Sequence, residues 1–298
     1  MLEYKLKMDL IDILQLLISG VTVGGIYALV ALGFHIIYIS TRILNFAHGV
    51  IVLWGGLLGY TLMVHLKLNF FLVLVLVLLI GWLFGILFNR IVIEPIKYVS
   101  PGIQIICLLA VSTVFENIAA VIWGKEPLSF PPFPWSKNPI PIGKLVLLPQ
   151  SLWVIGLTLV GLTITQWVLK GTMIGKAIRA TANNITAARL MGIDTRKTYS
   201  MAFGIALALG AMAGMVISPL TFAGGYLAIP ILIKGFTASI LGGMAAPMSS
   251  ILGGFLLGIM ESLAAGLIST AYLDAIIMSL LLLILLLRPQ GLFASKME

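Results

Sequence analysis

Ionisable and amide side chains are scarce in this chain, and several stand where hydrocarbon is expected around them. Arg42, Asn45 and His48 fall within "RILNFAHGVIVLWGG", residues 42–56, and Glu116, Lys234 and Glu261 are the deepest charged residues of their apolar segments. Each such charge costs roughly 2.5–3.5 kcal/mol at the centre of a membrane helix, so it faces a protein interior or a wet path and marks pairing, proton movement or polar cargo. Glu261 comes three residues after Gly258, itself four after Gly254, which puts its carboxylate on a small-residue face that looks inward. Lys234 has three readings: its stem snorkels toward headgroups, it pairs with Glu261 or Glu116, or it meets cargo. Snorkelling is the leading reading for Lys234, with Lys234 and Glu261 kept as structural ion-pair candidates that fix helix orientation in preference to touching cargo. Asn45 reads as a helix cap and Gly49 as a point of close packing. A cap and a turn leave Phe46 and His48 unexplained. His48 either titrates near neutrality in a wet site or stays neutral against a backbone carbonyl; His35 and His65 read as structural.

Other chemistries find little support. Cys107 is the lone cysteine, and the three histidines are scattered, which suits neither a disulfide nor a metal site. No nucleophile and base stand together as an enzyme would need. "GTMIGKA", residues 171–177, has three residues between its glycines and Ala177 after its lysine. A phosphate-binding loop needs four and a Ser or Thr, so this chain is expected to bind no ATP itself. A net charge of +8 could suggest nucleic acid, but the basic residues sit at segment ends and in one loop, without interleaved aromatics.

The elements that hold these residues follow from composition. Of 298 residues, 60% are hydrophobic and 9% charged, against about 25% charged in a soluble domain. Apolar runs at 10–39, 43–66, 68–92, 101–123, 145–169, 198–218, 228–246, 249–268 and 272–287 approach or exceed the roughly 20 residues that cross a bilayer. They do not alternate as barrel strands must. The expected fold is therefore an all-α polytopic membrane protein of about eight transmembrane helices, one transmembrane domain over 1–298. Asp9 and Asp12 interrupt the first run, and no cleavage site follows, which argues against a removable signal peptide.

Charge sets the sides. Six of the 18 Lys and Arg residues lie in 170–197, namely Lys170, Lys176, Arg179, Arg189, Arg196 and Lys197, against Asp194 alone, so that loop is expected in the cytoplasm. The loop at 124–144 carries six prolines; it is expected without a regular helix, on the outer face. Four segments after 198 return the C-terminus to the cytoplasm, in keeping with Arg288 and Lys296. The same count puts the N-terminus outside, where Lys5 and Lys7 are balanced by Glu3 and Asp9. One segment is then a candidate for a broken or re-entrant helix: the glycine-interrupted 10–39 or the polar-spotted 101–123. Within the basic loop, Thr172 to about Leu190 reads as one helix ended by Gly192. Ile174, Ala177, Ile178, Ile185, Ala188 and Leu190 give it a partly apolar surface.

Four motifs together resemble the permease subunits of branched-chain amino acid ABC importers of the LivH type. They are "GGIYALVALGFHIIYISTRILNFAHG" at 24–49, "IRATANNITAARLMGI" at 178–193, "KGFTASILGGMAAPMSSILGGFLLGIMESL" at 234–263 and "LRPQGLF" at 287–293. The sequence departs from the family at Val50, where an acid is usual, and at Ala245, Ala246 and Met248, where Gly-Ser precedes the proline and Gly follows it.

What the resemblance implies is a multi-pass inner-membrane subunit that works by alternating access. Its partners would be two cytoplasmic ATPases that use the ATP, a second, homologous permease subunit, an extracytoplasmic amino-acid-binding protein and lipid. Arg179, Ala187, Ala188, Arg189 and Gly192 would couple it to the ATPases. Asn45, Phe46, His48, Gly49 and Glu116 would line or gate the path. A urea or short-chain amide permease of the same family is the alternative. An ion-coupled carrier using Glu116 and Glu261 is a more distant one, since it leaves the basic loop unexplained.

Overall fold

The computed structural model describes residues 10–293 except 137, 144, 225, 226, 245 and 269. Glu3, Lys5, Lys7, Asp9, Ala245 and Lys296, used above for topology and motif, lie outside the described residues. Helix α1 (Leu10–Thr41) is followed by α2 (His48–Tyr60), which a π turn extends to His65. Next come α3 (Phe70–Phe88), a second π turn, α4 (Glu94–Ile96), α5 (Pro101–Trp123), a hairpin of β1 (Ile140–Ile142) and β2 (Leu145–Leu147), and α6 (Pro149–Gly171). The remainder is α7 (Met173–Asn183), α8 (Ile185–Leu190), α9 (Thr195–Thr221), α10 (Ala228–Gly242), α11 (Pro247–Leu267) and α12 (Leu273–Leu287). Among the described residues, seven helical spans are long and apolar enough to cross a membrane. The 15-residue α10 and α12 reach about 22 Å at 1.5 Å per residue, short of a 30 Å core. The protein is an all-α polytopic membrane protein.

Prolines at the first turns of α5, α6 and α11 start helices where a missing amide hydrogen does no harm. α1 and α9 form the centre, α1 against α6, α9, α10 and α11, and α9 also against α2 and α3. Glycines permit this. A methyl on Gly258 would collide with the backbone of Gly24, and one on Gly254 with that of Ala28, so α1 and α11 meet backbone to backbone.

The bundle has two recognisable ends. The Gln15 amide donates to the Val146 carbonyl at 2.8 Å and accepts from the Val146 N–H at 3.1 Å, which fixes the start of α1 at the hairpin end. α6 runs from the hairpin into α7, and α1 packs parallel to it, with Gly25 against Thr158 and Leu29 against Gly161. α7 and α8 therefore mark the opposite end. Among its described residues the six-proline stretch 124–144 forms no helix, and its last part supplies β1 of the hairpin.

Two expectations about breaks need correction. α1 and α5 are continuous helices; the glycines of α1 serve close packing instead of interrupting it. The break falls at residues 42–47, ahead of α2. The basic stretch is also divided: α7 stops at Asn183, and Asn184 starts α8 by accepting from the Thr186 and Ala187 amides, each at 3.0 Å. An asparagine that bonds its own following amides offers the chain an alternative to continuing the helix.

Candidate functional site: a buried helix break and a bare helical knob

α1 ends at Thr41, Arg42 takes a left-handed φ of 60°, and the chain stays non-helical until His48. The His48 ring lies against Gly33 of α1 and Gly210 of α9. Gly33 is about 12 Å before the end of α1 and Gly210 about 22 Å after the start of α9, at 1.5 Å per residue. The segment 42–47 therefore leads back into the bundle, and α2 begins near its middle. This corrects a sequence reading of "STRILNFAHG", residues 40–49, as the tight connection between the first two apolar runs.

Asn45 and His48 are fully buried. Asn45 Oδ1 accepts from the Ala47 amide at 3.1 Å, and the Asn45 carbonyl accepts from the His48 amide, also at 3.1 Å. Asn45 thus fixes the turn; it does not cap α2, whose preceding residue, Ala47, has no side-chain bond to give. Asn45 Nδ2 and both ring nitrogens of His48 have no hydrogen-bond partner among the described residues. The carbonyl bond expected of His48 is made by His35 instead, whose Nδ1 lies 3.0 Å from the Met244 carbonyl. His65 stacks edge-on against Tyr60. Phe34 lies 5.0 Å from His48 between ring centres and 5.7 Å from Phe236, which in turn lies 5.4 Å from Phe46. Gly49 sits against Ala228 and Leu232 of α10. Around Asn45 and His48 the break is thus a polar point inside an apolar and aromatic sheath shared by α1, α9 and α10. Gly33, Gly210 and Phe236 were not legible as its walls, because glycine spacing marks a close contact without naming the partner.

The structure brings Lys234 and Glu261 together. Lys234 Nζ is 2.5 Å from Glu261 Oε1 and 3.6 Å from Asp274 Oδ1, and it lies 5.9 Å from the Tyr27 ring centre. The Lys234 and Glu261 side chains are 16% and 12% exposed, whereas that of Asp274 is 80% exposed. One ammonium thereby ties α10, α11, α12 and α1 together and does not snorkel alone. Asp274, in the first turn of α12, had no signal beyond its charge. Glu116 is elsewhere, half-buried on α5, with no hydrogen bond or ion pair to Asn45, His48, Lys234 or Glu261 among the described residues.

At the other end, α8 closes with the Ile193 amide on the Ala188 carbonyl and the Gly192 amide on the Arg189 carbonyl, each at 3.0 Å. Gly192 has φ 80°, the left-handed residue such a helix stop requires. This leaves Leu190 84% and Met191 83% exposed, side by side. Ala187 is exposed, and Ala188 is buried. Arg189 Nε donates to Thr195 Oγ1 at 3.2 Å, and Arg179 Nη2 to the Lys170 carbonyl at 3.4 Å. Glu94 bridges Arg196 at 3.4 Å and Lys97 at 3.9 Å.

Asp194 caps α9 by accepting from the Arg196 and Lys197 amides at 3.0 and 3.2 Å. The Lys197 amide chiefly, with that of Arg196 and the Lys197 charge adding to it, holds its carboxyl below the usual carboxylate range. A lowered value means that the cap's contribution is present above the unfolded pKa and fades as pH falls through the folded one. Asp194→Asn should keep the cap and lose that dependence. Amide exchange at Arg196 and Lys197 is then expected to accelerate in acid, beyond the intrinsic effect of pH, only in the native chain.

Residues 16–286 match the family of branched-chain amino acid transport system permease components. The chain belongs to this family. It is 28% identical to the high-affinity branched-chain amino acid transport system permease protein LivH of Escherichia coli K12, over 93% of this chain and 94% of that one. BraD of Pseudomonas aeruginosa, of the same description, is also 28% identical, over the same two shares. The ribose import permease protein RbsC of Haemophilus influenzae is 25% identical, over 92% of this chain and 84% of its own. No solved structure matches. Three of the motifs fall within the family match; the fourth, 287–293, begins just after its end. There the Leu292 and Phe293 amides donate to the Leu241 and Gly242 carbonyls, and Ser249 Oγ donates to the Phe293 carbonyl. The fourth motif thus folds onto the turn within the third.

Proposed function

We propose that this chain is the inner-membrane permease of an ABC importer for branched-chain amino acids, driven through alternating access by separate ATPase subunits. The observation that carries the proposal is the family match over nearly the whole chain. In this reading the basic α7–α8 end is cytoplasmic, as is the C-terminus, and the hairpin end faces outward to a binding protein that delivers the amino acid. Two ATPase subunits receive Leu190 and Met191, the bare apolar knob that Gly192 sets, with Arg179, Ala187, Ala188 and Arg189 around it. A second, homologous permease subunit completes the membrane part.

The cargo is a zwitterion with an apolar side chain, so its path is mostly apolar with few polar groups. Asn45, Phe46, His48, Gly49 and Glu116 are the assigned lining and gating residues. The break at 42–47 frees α2 to shift against α1, and a ligand biases such a switch only through contacts that differ between its two states. Lys234 and Glu261 fix helix orientation and do not touch cargo.

The test is reconstitution with candidate ATPases and binding proteins, reading labelled leucine, urea and ribose uptake against ATP hydrolysis. Leucine uptake coupled to hydrolysis is expected; uptake by this chain alone defeats the proposal. Gly192→Val tests the knob. Open space surrounds Gly192, so the substitution acts through backbone strain of about 1–2 kcal/mol in the left-handed region. It should abolish uptake while membrane insertion stays intact, and unchanged uptake removes α8 from the coupling.

A further inference from the structure

α5 is the least enclosed membrane-length helix, with 17% of its central residues buried, against 28% for α3. It holds the bundle along one flank, through Trp54 Nε1 to the Phe115 carbonyl at 3.1 Å and Trp123 Nε1 to Thr61 Oγ1 at 2.7 Å. The other flank exposes Thr113, Val114, Asn117, Ile118 and Val121, with Ala110 on the same side. The exposed flank of α3 is wholly apolar: Phe71, Leu72, Val75, Leu79, Leu83 and Leu87.

Thr113 is at ease in hydrocarbon, because its hydroxyl donates to the Leu109 carbonyl at 3.0 Å. Asn117 is not. Its Nδ2 donates once, to the Thr113 carbonyl at 2.8 Å, and its Oδ1 has no partner among the described residues. Glu116, next to it, makes no ion pair or hydrogen bond among them either. Asn117 is six residues from the end of α5 at Trp123, about 9 Å along the axis, which is inside the apolar layer. Lipid tails offer nothing to an amide or a carboxylate, and subunits that work in water at the two ends do not reach this depth. What covers this flank is another membrane-embedded chain, and the small residues Ala110 and Thr113 let its backbone come close.

We propose that the flank of α5 at Ala110, Thr113 and Asn117 is the docking surface for the second permease subunit. The facing helix offers an amide or hydroxyl to Asn117, and Glu116 lies at the edge of the seam. This rests on the importer reading above.

The test attaches a benzophenone to Asn117→Cys in a Cys107→Ser background and irradiates the complete assembly in membranes. A covalent product with the second permease subunit, identified by mass, is expected, and Leu79→Cys on α3 should give lipid adducts alone. Lipid adducts alone at 117, or a product with any other subunit, overturn the proposal. A second variant, Asn117→Leu, should weaken pairing of the two permeases in detergent about three- to twentyfold, the range measured for interhelical hydrogen bonds in membranes. Unchanged pairing also overturns it. Neither readout uses transport, so a pair that cross-links yet carries no leucine would fail the importer reading and leave the interface standing.

Discussion

Lys234→Met is expected to destabilise the protein by roughly 3–5 kcal/mol, the usual result of leaving one partner of a buried ion pair alone. Glu261 would keep its position with Oε2 already unpartnered and Oε1 without its ammonium. Asp274 cannot compensate, being a second acid. The double variant Lys234→Met with Glu261→Met should recover most of the loss, because well-packed apolar groups of similar volume often equal a buried pair. The measurement is unfolding of the purified chain in detergent for both singles and the double. A double variant as unstable as the sum of the singles would mean that the two residues act independently. Recovery without transport would show that the pair also has a part in the cycle.

Gly258→Leu is the second large effect. A side chain there meets the backbone nitrogen and Cα of Gly24 and the carbonyl of Gly20, and no rotamer change moves a backbone. Overpacking of a well-filled core costs typically 1–3 kcal/mol, and a clash against main chain belongs at or above the top of that range. α1 and α11 would have to separate, taking the ends of the α10–α11 pair with them. The expected outcome is loss of monodisperse protein on size exclusion. Gly156→Leu on α6, where nothing lies within 4 Å, is the control and should behave as the native chain.

Helices were legible because apolar length and proline punctuation are local signals. α5 occupies Pro101–Trp123, the run read from sequence, and Pro149 and Pro247 mark helix starts. The ion pair was legible for a different reason: with so few buried charges, Lys234 had few acids to meet. The break at 42–47 was visible as a polar cluster, yet its depth was not, since a turn at a membrane surface and an unwound segment inside a bundle share the same residues. Only the packing of His48 against Gly33 and Gly210 distinguishes them. The division at Asn184 was hidden by the alanines around it, which favour helix, whereas the asparagine acts through bonds that composition does not record.

The clasp of Leu292 and Phe293 on Leu241 and Gly242 bears on how the molecule is made. Synthesis reaches Gly242 some fifty residues before it reaches Phe293, so this corner stays open while α11 and α12 are being threaded into the bilayer. The turn between α10 and α11 cannot gain this clasp until residues 292 and 293 have been made.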